Sequence, residues 1–180
     1  MFNFIKKKIK PFEVLDICHI TDTAKMNALV KLAKHDSTYM FLCWFSETKS
    51  LMEEQFALEG IDLKRLQLAE RFAGHSISDD KKLMVEHHPN RRKEELFFEG
   101  LNVRKIEIYN SLDEAIFQSA NVSSIIDLMR KLGMSDEEPI QHAMISGSIK
   151  KLQEKFDNDT SDYVNANSQA EWIRKNSFNP

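Results

Sequence analysis

The sequence YMFLCWFSETKSLMEEQFALEG, residues 39–60, predicts a strand followed directly by a helix. Its first seven residues are apolar or aromatic without alternation, which is typical of a strand buried on both faces of a parallel sheet. Ser46 is a favourable helix N-cap, and Gly60 stands where a glycine commonly ends a helix. The stretch therefore predicts one strand–helix unit of an α/β fold.

The same alternation continues on both sides of this unit. Upstream, a helix is predicted from Thr21 or Thr23 to about Asp36. Downstream, a helix is predicted over residues 91–99. Further strands are predicted over residues 64–69, 82–86 and 104–109. Alternating strands and helices favour a three-layer α/β fold in which a mostly parallel sheet is flanked by helices.

The C-terminal third predicts helices without further strands. One helix starts at Ser111 or Asp113 and reaches about Leu132, with a break near residues 120–121, and another follows Pro139. The residues after 157 are polar and predict a loose tail, with Trp172-Ile173 as a docking point. The predicted parts are a basic N-terminal arm (1–20), an α/β core (21–118), a C-terminal helical extension (119–157) and the polar tail (158–180).

Composition limits the classes of function. The chain has 180 residues, 42% of them hydrophobic, so it can bury a core. Its formal net charge of −3 argues against general nucleic-acid binding, which needs a basic surface. Cys43 lies inside an apolar run, which favours a buried free thiol over a disulfide and predicts a reduced, cytoplasmic protein. No apolar run is long enough to span a bilayer.

The first ten residues combine apolar and basic side chains. The basic ones are Lys6, Lys7, Lys8 and Lys10. One interpretation is a weak contact with an anionic membrane surface through these lysines. The other, which the short length favours, is a solvated basic arm that ends at Pro11.

Two segments near the C-terminus resemble a known family. They are KIEIYNSLDEAIF, residues 105–117, and DLMRKLGMSDEEPIQHAMISGSIKKLQEKF, residues 127–156. Both resemble SecA, the ATPase motor of bacterial preprotein translocation, where its second nucleotide-binding domain joins the helical scaffold. The second segment contains the family-like motifs M-x-x-L-G-M and E-P-I-x-H. A weaker resemblance covers residues 40–61 and 86–92. The resemblance implies a RecA-like fold of the P-loop NTPase type, with the start of the scaffold helix.

The parts of the motor that perform catalysis have no counterpart in this chain. No G-x-x-x-x-G-K-[ST] phosphate loop occurs; in the family it belongs to the first nucleotide-binding domain. The arginine-finger motif of the family begins here as EHHPNRR, residues 86–92, but its later positions fall on Leu96, Phe98 and Glu99. Loss of such an arginine costs about a thousandfold or more in rate. The resemblance therefore implies a truncated, degenerate domain without ATPase activity, catalytic residues or a cofactor.

One candidate binding site remains. His88, Arg91 and Arg92 stand at the predicted start of a helix, whose dipole favours an anion, and could form a cofactor-binding site. The favoured alternative is that the arginines pair with Glu94 or Glu95 on the helix surface. No metal site is predicted, because alternation along a strand would place His87 and His88 on opposite faces.

The leading hypothesis is a non-catalytic SecA-like domain that binds a protein partner as an accessory module, with a link to protein export. One alternative is a nucleotide- or anion-binding protein that lacks a phosphate loop. Another is half of an ATPase that acts in trans on the site of another subunit. A third is a homo-oligomer formed through the apolar stripe of residues 139–156. Fold resemblance alone does not choose among them.

Overall fold

The computed structural model describes residues 12–72, 81–101, 103–118, 122–131, 135, 137–156 and 165–177. The described strands are β1 (Glu13–His19), β2 (Tyr39–Cys43), β3 (Leu66–Leu68), β4 (Lys81–Met84) and β5 (Lys105–Ser111). The described helices are α1 (Asp22–His35), α2 (Ser46–Leu58), α3 (Arg91–Gly100), α4 (Val122–Lys131), α5 (Ala143–Glu154) and α6 (Gln169–Ser177). Short 3-10 turns lie at Leu63–Arg65, Ala69–Arg71 and Ala115–Phe117.

The strands form one sheet in the order β1-β5-β4-β2-β3, and every neighbouring pair is parallel. Helices flank the sheet, and further helices follow it in the chain. The predicted three-layer α/β fold with C-terminal helices is confirmed.

Strand β2 explains why the core has two halves. Phe41 and Cys43 pack in a buried cluster with Leu29 of α1 and Phe56 of α2. Leu42, which lies between them in the strand, packs in a different cluster, with Phe98 of α3. The strand is therefore buried on both faces, as its continuous apolar run predicts.

Local capping signals account for several helix ends. The Thr21 side chain accepts a hydrogen bond from the backbone N–H of Ala24 at the start of α1, as predicted. Gly60 follows α2 with a φ of +67°, a left-handed conformation that glycine adopts readily. The prediction that Ser46 caps α2 is wrong, because α2 begins at Ser46 and its N-cap, Phe45, provides no side-chain hydrogen bond.

The N-terminal region differs from the predicted arm. Residues 13–19 form β1, which pairs with β5 along the whole length of both strands. Ile17 and Cys18 of this strand are buried. The predicted membrane contact through Lys6, Lys7, Lys8 and Lys10 falls on residues outside the described ranges. Among the residues that the structure describes, no helix is both long enough and apolar enough to cross a lipid bilayer.

The segment between β5 and α5 is less helical than predicted. A 3-10 turn, Ala115–Phe117, follows β5, and α4 begins only at Val122. The predicted break near residues 120–121 falls outside the described ranges. Before α5, Ile140 forms an isolated antiparallel bridge with Cys18 of β1. His142 is the N-cap of α5, and its Nδ1 atom accepts a hydrogen bond from Met144 N at 3.1 Å.

The described part of the polar tail is ordered as α6. Its Trp172 is only 1% exposed and joins the core cluster that contains Phe98 and Trp44. The prediction of a loose tail is therefore wrong for residues 165–177, whereas the predicted docking at Trp172 is confirmed. The buried aromatic side chain of Trp172 thus helps to attach this otherwise polar helix to the core.

Candidate functional site

A crevice opens where the path of the chain reverses across the sheet. From β2 the chain moves outward to the edge strand β3, and from β4 it moves the opposite way to β5. In open α/β sheets, ligands bind at the carboxyl ends of the strands beside such a reversal. A cavity of about 320 Å³ lies at this point. We call it the switch-point pocket; its ionisable lining residues are Asp22, Lys25, Glu47, Glu86, Asp113 and Glu114.

Glu86 is the central acceptor of this pocket. It is buried and stands two residues after β4. One of its oxygens, Oε1, accepts the backbone N–H groups of Trp44 and Phe45, both at 3.1 Å. The other, Oε2, accepts the Thr48 hydroxyl at 2.6 Å. The carboxyl group thus holds the turn that leads from β2 into α2, near the positive end of the helix dipole.

A second hydrogen-bond acceptor from the chain itself lies at the N-terminus of α2. The carbonyl oxygen of Asn167, which precedes α6, accepts the backbone N–H of Glu47 at 2.9 Å. The Asn167 side chain accepts the Ser46 hydroxyl at 3.2 Å. In nucleotide-binding α/β proteins, a phosphate occupies this place at the start of a helix. Here the chain fills it with its own carboxyl and carbonyl groups.

Burial changes the ionisation of Glu86. Removal from water raises the pKa of Glu86 to about 7, while the hydrogen bond from Thr48 acts in the opposite direction. The charge of Glu114 adds to the rise. Near neutral pH this group can therefore both accept and donate a proton.

Lys25 is the one cation among the described residues that line the pocket. Its Nζ lies 2.7 Å from Glu114 Oε1, and both side chains are buried. Burial disfavours the ammonium, but the charges of Glu114 and Asp22 outweigh it and raise the pKa of Lys25 above its usual value. Lys25 therefore stays charged, and its charge is neutralised within the protein.

The amide of Gln169 fastens α6 to the wall of the pocket. Its Nε2 donates to the His87 carbonyl at 3.0 Å and to Glu114 Oε2 at 3.3 Å. Its Oε1 accepts the backbone N–H of Ile116 at 2.8 Å. The C-terminal helix is thus tied by one side chain to the segments after β4 and β5.

The lining determines which ligands the pocket favours. Five carboxyl groups face one ammonium group, which Glu114 already neutralises. Asp22, Glu47 and Asp113 are exposed on the pocket side. The negative electrostatic potential of this lining attracts positively charged groups and repels phosphate.

His88, part of the predicted anion site, lies in aromatic surroundings. Its ring centroid is 5.1 Å from those of Trp44 and Trp172 and 5.7 Å from that of Phe45. Its Nδ1 accepts the backbone N–H of Asn90 at 2.9 Å. Burial lowers the pKa of His88 to about 3, so the imidazole is neutral at physiological pH. It brings no positive charge to an anion.

The arginines of that site lie on α3. Arg91 forms an ion pair with Glu95 on the same helix at 2.9 Å and lies 3.6 Å from Glu154 of α5. This is the surface pairing that the sequence favoured as the alternative. Arg92 is exposed on α3. His88 and Arg91 line different cavities.

A buried charge cluster around His87 has no signal in the sequence. His87 Nε2 lies 3.0 Å from Asp16 of β1, and its Nδ1 lies 3.0 Å from Glu94 of α3. Burial alone would lower the pKa of His87, but the charges and hydrogen bonds of Glu94 and Asp16 outweigh it and raise the pKa to about 10. Gln153 of α5 donates to Glu94 at 2.7 Å and completes the cluster. Within the described ranges, no group of three or more His, Cys, Asp or Glu side chains could hold a metal ion.

Stability is expected to fall as the pH rises from about 6.5 to about 10, because folded His87 keeps a proton across this window that the unfolded chain has already released. The stabilisation by His87 is fully present below the pKa of this side chain in the unfolded chain, and it is lost above its pKa in the folded protein. Each unit of difference between the two pKa values corresponds to about 1.4 kcal/mol. Urea unfolding at several pH values measures this slope. His87→Gln should be less stable at pH 6 and should lose most of the slope; an unchanged slope would contradict the assignment.

No protein-family model matches the chain and no curated protein gives a match, so the likeness to SecA stays a prediction from the motifs quoted above.

Proposed function

We propose that this chain is a non-catalytic, RecA-like domain similar to the second nucleotide-binding domain of SecA. It acts in the cytoplasm as an accessory module that binds a protein partner linked to protein export. One observation carries the non-catalytic part: the carboxyl group of Glu86 holds the turn before α2, where a nucleotide-binding fold places a phosphate. The buried free thiols of Cys18 and Cys43 suit a reducing compartment.

Electrostatics disfavour a nucleotide at this edge of the sheet. A phosphate at the start of α2 would lie beside Glu86, with Glu114 on the same pocket wall. When Glu86 is ionised, two like charges 4 Å apart near a protein surface repel by about 4 kcal/mol. Lys25 cannot offset this repulsion without releasing Glu114. The alternatives that require bound nucleotide or phosphate are therefore less well supported.

The surface around the pocket suits a protein partner. On α2, Leu51 is 54% exposed and lines the pocket, and Leu58 is 79% exposed seven residues later on the same face. Acidic side chains beside exposed leucines fit a protein segment that carries basic and apolar residues. The homo-oligomer alternative loses its proposed surface, because Ile145, Ile149 and Leu152 of α5 pack into the core of their own chain.

Thermal unfolding with Mg-ATP, Mg-ADP or sulfate is expected to show no shift. A ligand at a hundred times its dissociation constant would stabilise the chain by about 2.7 kcal/mol, which such an experiment detects easily. A shift specific to nucleotide, and lost in an Arg91→Ala/Arg92→Ala double variant, would establish nucleotide binding and overturn the proposal.

Partner binding is expected to depend on the charge of the pocket rim. Glu47→Lys reverses an exposed charge that lines the pocket, whereas Glu99→Lys makes the same change at an exposed position of α3 that does not line it. The immobilised chain is incubated with extract that contains export components, and bound proteins are quantified. We expect Glu47→Lys to reduce capture at least fivefold and Glu99→Lys to leave it unchanged. Equal capture by both variants would exclude the pocket as the binding surface.

A further inference from the structure

A second, much smaller cavity lies between the end of β2, α3 and α6. Its volume is about 30 Å³, and its lining includes Trp44, His88, Lys93 and Trp172. A volume of about 10–15 Å³ already holds a single water molecule. The cavity therefore has room for one water molecule or one monatomic ion, and it is too small for a phosphate group.

Both tryptophans contribute a buried donor. Trp44 is 6% exposed and Trp172 is 1% exposed. Within the part of the chain that the structure describes, neither indole Nε1 has a hydrogen-bond partner. An indole N–H can only donate, and a buried donor without an acceptor costs about 1–3 kcal/mol. Because both side chains line one cavity, a single acceptor bound there is a candidate partner for both donors.

The neighbouring side chains suit a small acceptor that is neutral or singly negative. Both indole rings stand at 73° to the His88 ring, with centroids 5.1 Å away, so they flank the same neutral imidazole. The ammonium group of Lys93 lines the cavity and lies 2.6 Å from Glu70. Lys93 adds a positive charge, and Glu70 partly offsets it.

We propose that this cavity binds one small hydrogen-bond acceptor, a chloride ion or a water molecule, between the indole N–H groups of Trp44 and Trp172. The acceptor links the end of β2 to α6 through two hydrogen bonds. Since α6 also forms a wall of the switch-point pocket through Gln169, occupancy of the small cavity holds that wall in place. This inference does not depend on the proposed function.

The sequence makes the test direct, because the chain contains only these two tryptophans. Each gives one indole resonance in a spectrum of ¹⁵N-labelled protein. Sodium chloride is exchanged for sodium gluconate at constant ionic strength. For bound chloride, both indole resonances should shift together along one saturable curve. For bound water, neither should respond to chloride, and both indole protons should show cross-peaks to a long-lived water molecule.

Variants distinguish the contributions of the two indole N–H donors from that of the Lys93 charge. Trp172→Phe keeps an aromatic ring but removes one donor, so Trp44 should lose its chloride response or its water cross-peak. Lys93→Gln should weaken a chloride response at least threefold, whereas Lys105→Gln, at an ion-paired lysine that does not line the cavity, should leave it unchanged. The proposal is overturned if wild-type protein shows neither a chloride response nor a water cross-peak, or if only one indole responds.

Discussion

Lys25→Met is expected to lower the free energy of unfolding by about 3–5 kcal/mol. The ammonium of Lys25 lies 2.7 Å from Glu114 Oε1, and both side chains are more than nine-tenths buried. Methionine has a similar length but leaves the Glu114 carboxylate buried without its counter-charge. A buried charge that has lost its partner is far more costly than the net gain from the intact pair. Urea unfolding at pH 7, followed by circular dichroism, measures the loss.

Two further variants identify the cause of this effect. Lys31→Met makes the same substitution at an exposed position of α1 and should change stability by no more than about 0.5 kcal/mol. Lys25→Met/Glu114→Gln removes both charges and should be less destabilised than the sum of the single variants, because the two sites are coupled. Additive effects would show that the two charges do not interact, and a loss below about 1 kcal/mol for Lys25→Met would contradict the buried pair.

Trp172→Ala is expected to cost about 3–5 kcal/mol, the usual range for removing a fully buried tryptophan. Its ring packs edge-on against His88 at 5.1 Å and Phe156 at 5.9 Å, in the core cluster that covers one face of the sheet. The contact attaches α6, so the backbone amides of α6 should also lose protection in hydrogen exchange. Both quantities can be measured on the same protein sample.

Arg174→Ala is the matched control on α6, since Arg174 is exposed and lies only two residues away. It should leave stability and exchange nearly unchanged. If Trp172→Ala cost less than about 1 kcal/mol, the C-terminal segment would behave as the loose tail that its polar composition predicts. A large effect in both variants would point to loss of the helix itself rather than to loss of the tryptophan contact.

Much of the fold could be predicted from local sequence. The unbroken apolar run of β2 predicts a strand covered on both faces, and Leu42 and Phe41 do pack in different clusters. Thr21 and Gly60 mark helix ends because their effect depends only on neighbouring backbone groups. Strand β1 has no clear local signal, because its short segment follows a run of lysines and its strand partner β5 lies about ninety residues later in the chain.

The candidate site could not be predicted in the same way. Charged residues are normally exposed, so nothing local marks Lys25, Glu86 and Glu114 as buried. Lys25 and Glu114 are 89 residues apart in the chain, and Glu86 bonds to Phe45 across 41 residues. Tertiary folding alone brings these groups together. The position of His88 before a helix favours an anion site, whereas its aromatic surroundings arise only from tertiary folding.

The carboxyl group of Glu86 also affects the binding equilibrium of any anion in solution. Because the backbone after β4 fixes it beside the turn into α2, it competes as a tethered ligand with an effective concentration of at least about millimolar order. A free anion must therefore displace a carboxylate that stays attached to the chain beside the binding position. The tethered carboxylate raises the apparent dissociation constant of a free anion by a fixed factor, whereas protonation of Glu86 near pH 7 weakens the tethered competitor directly.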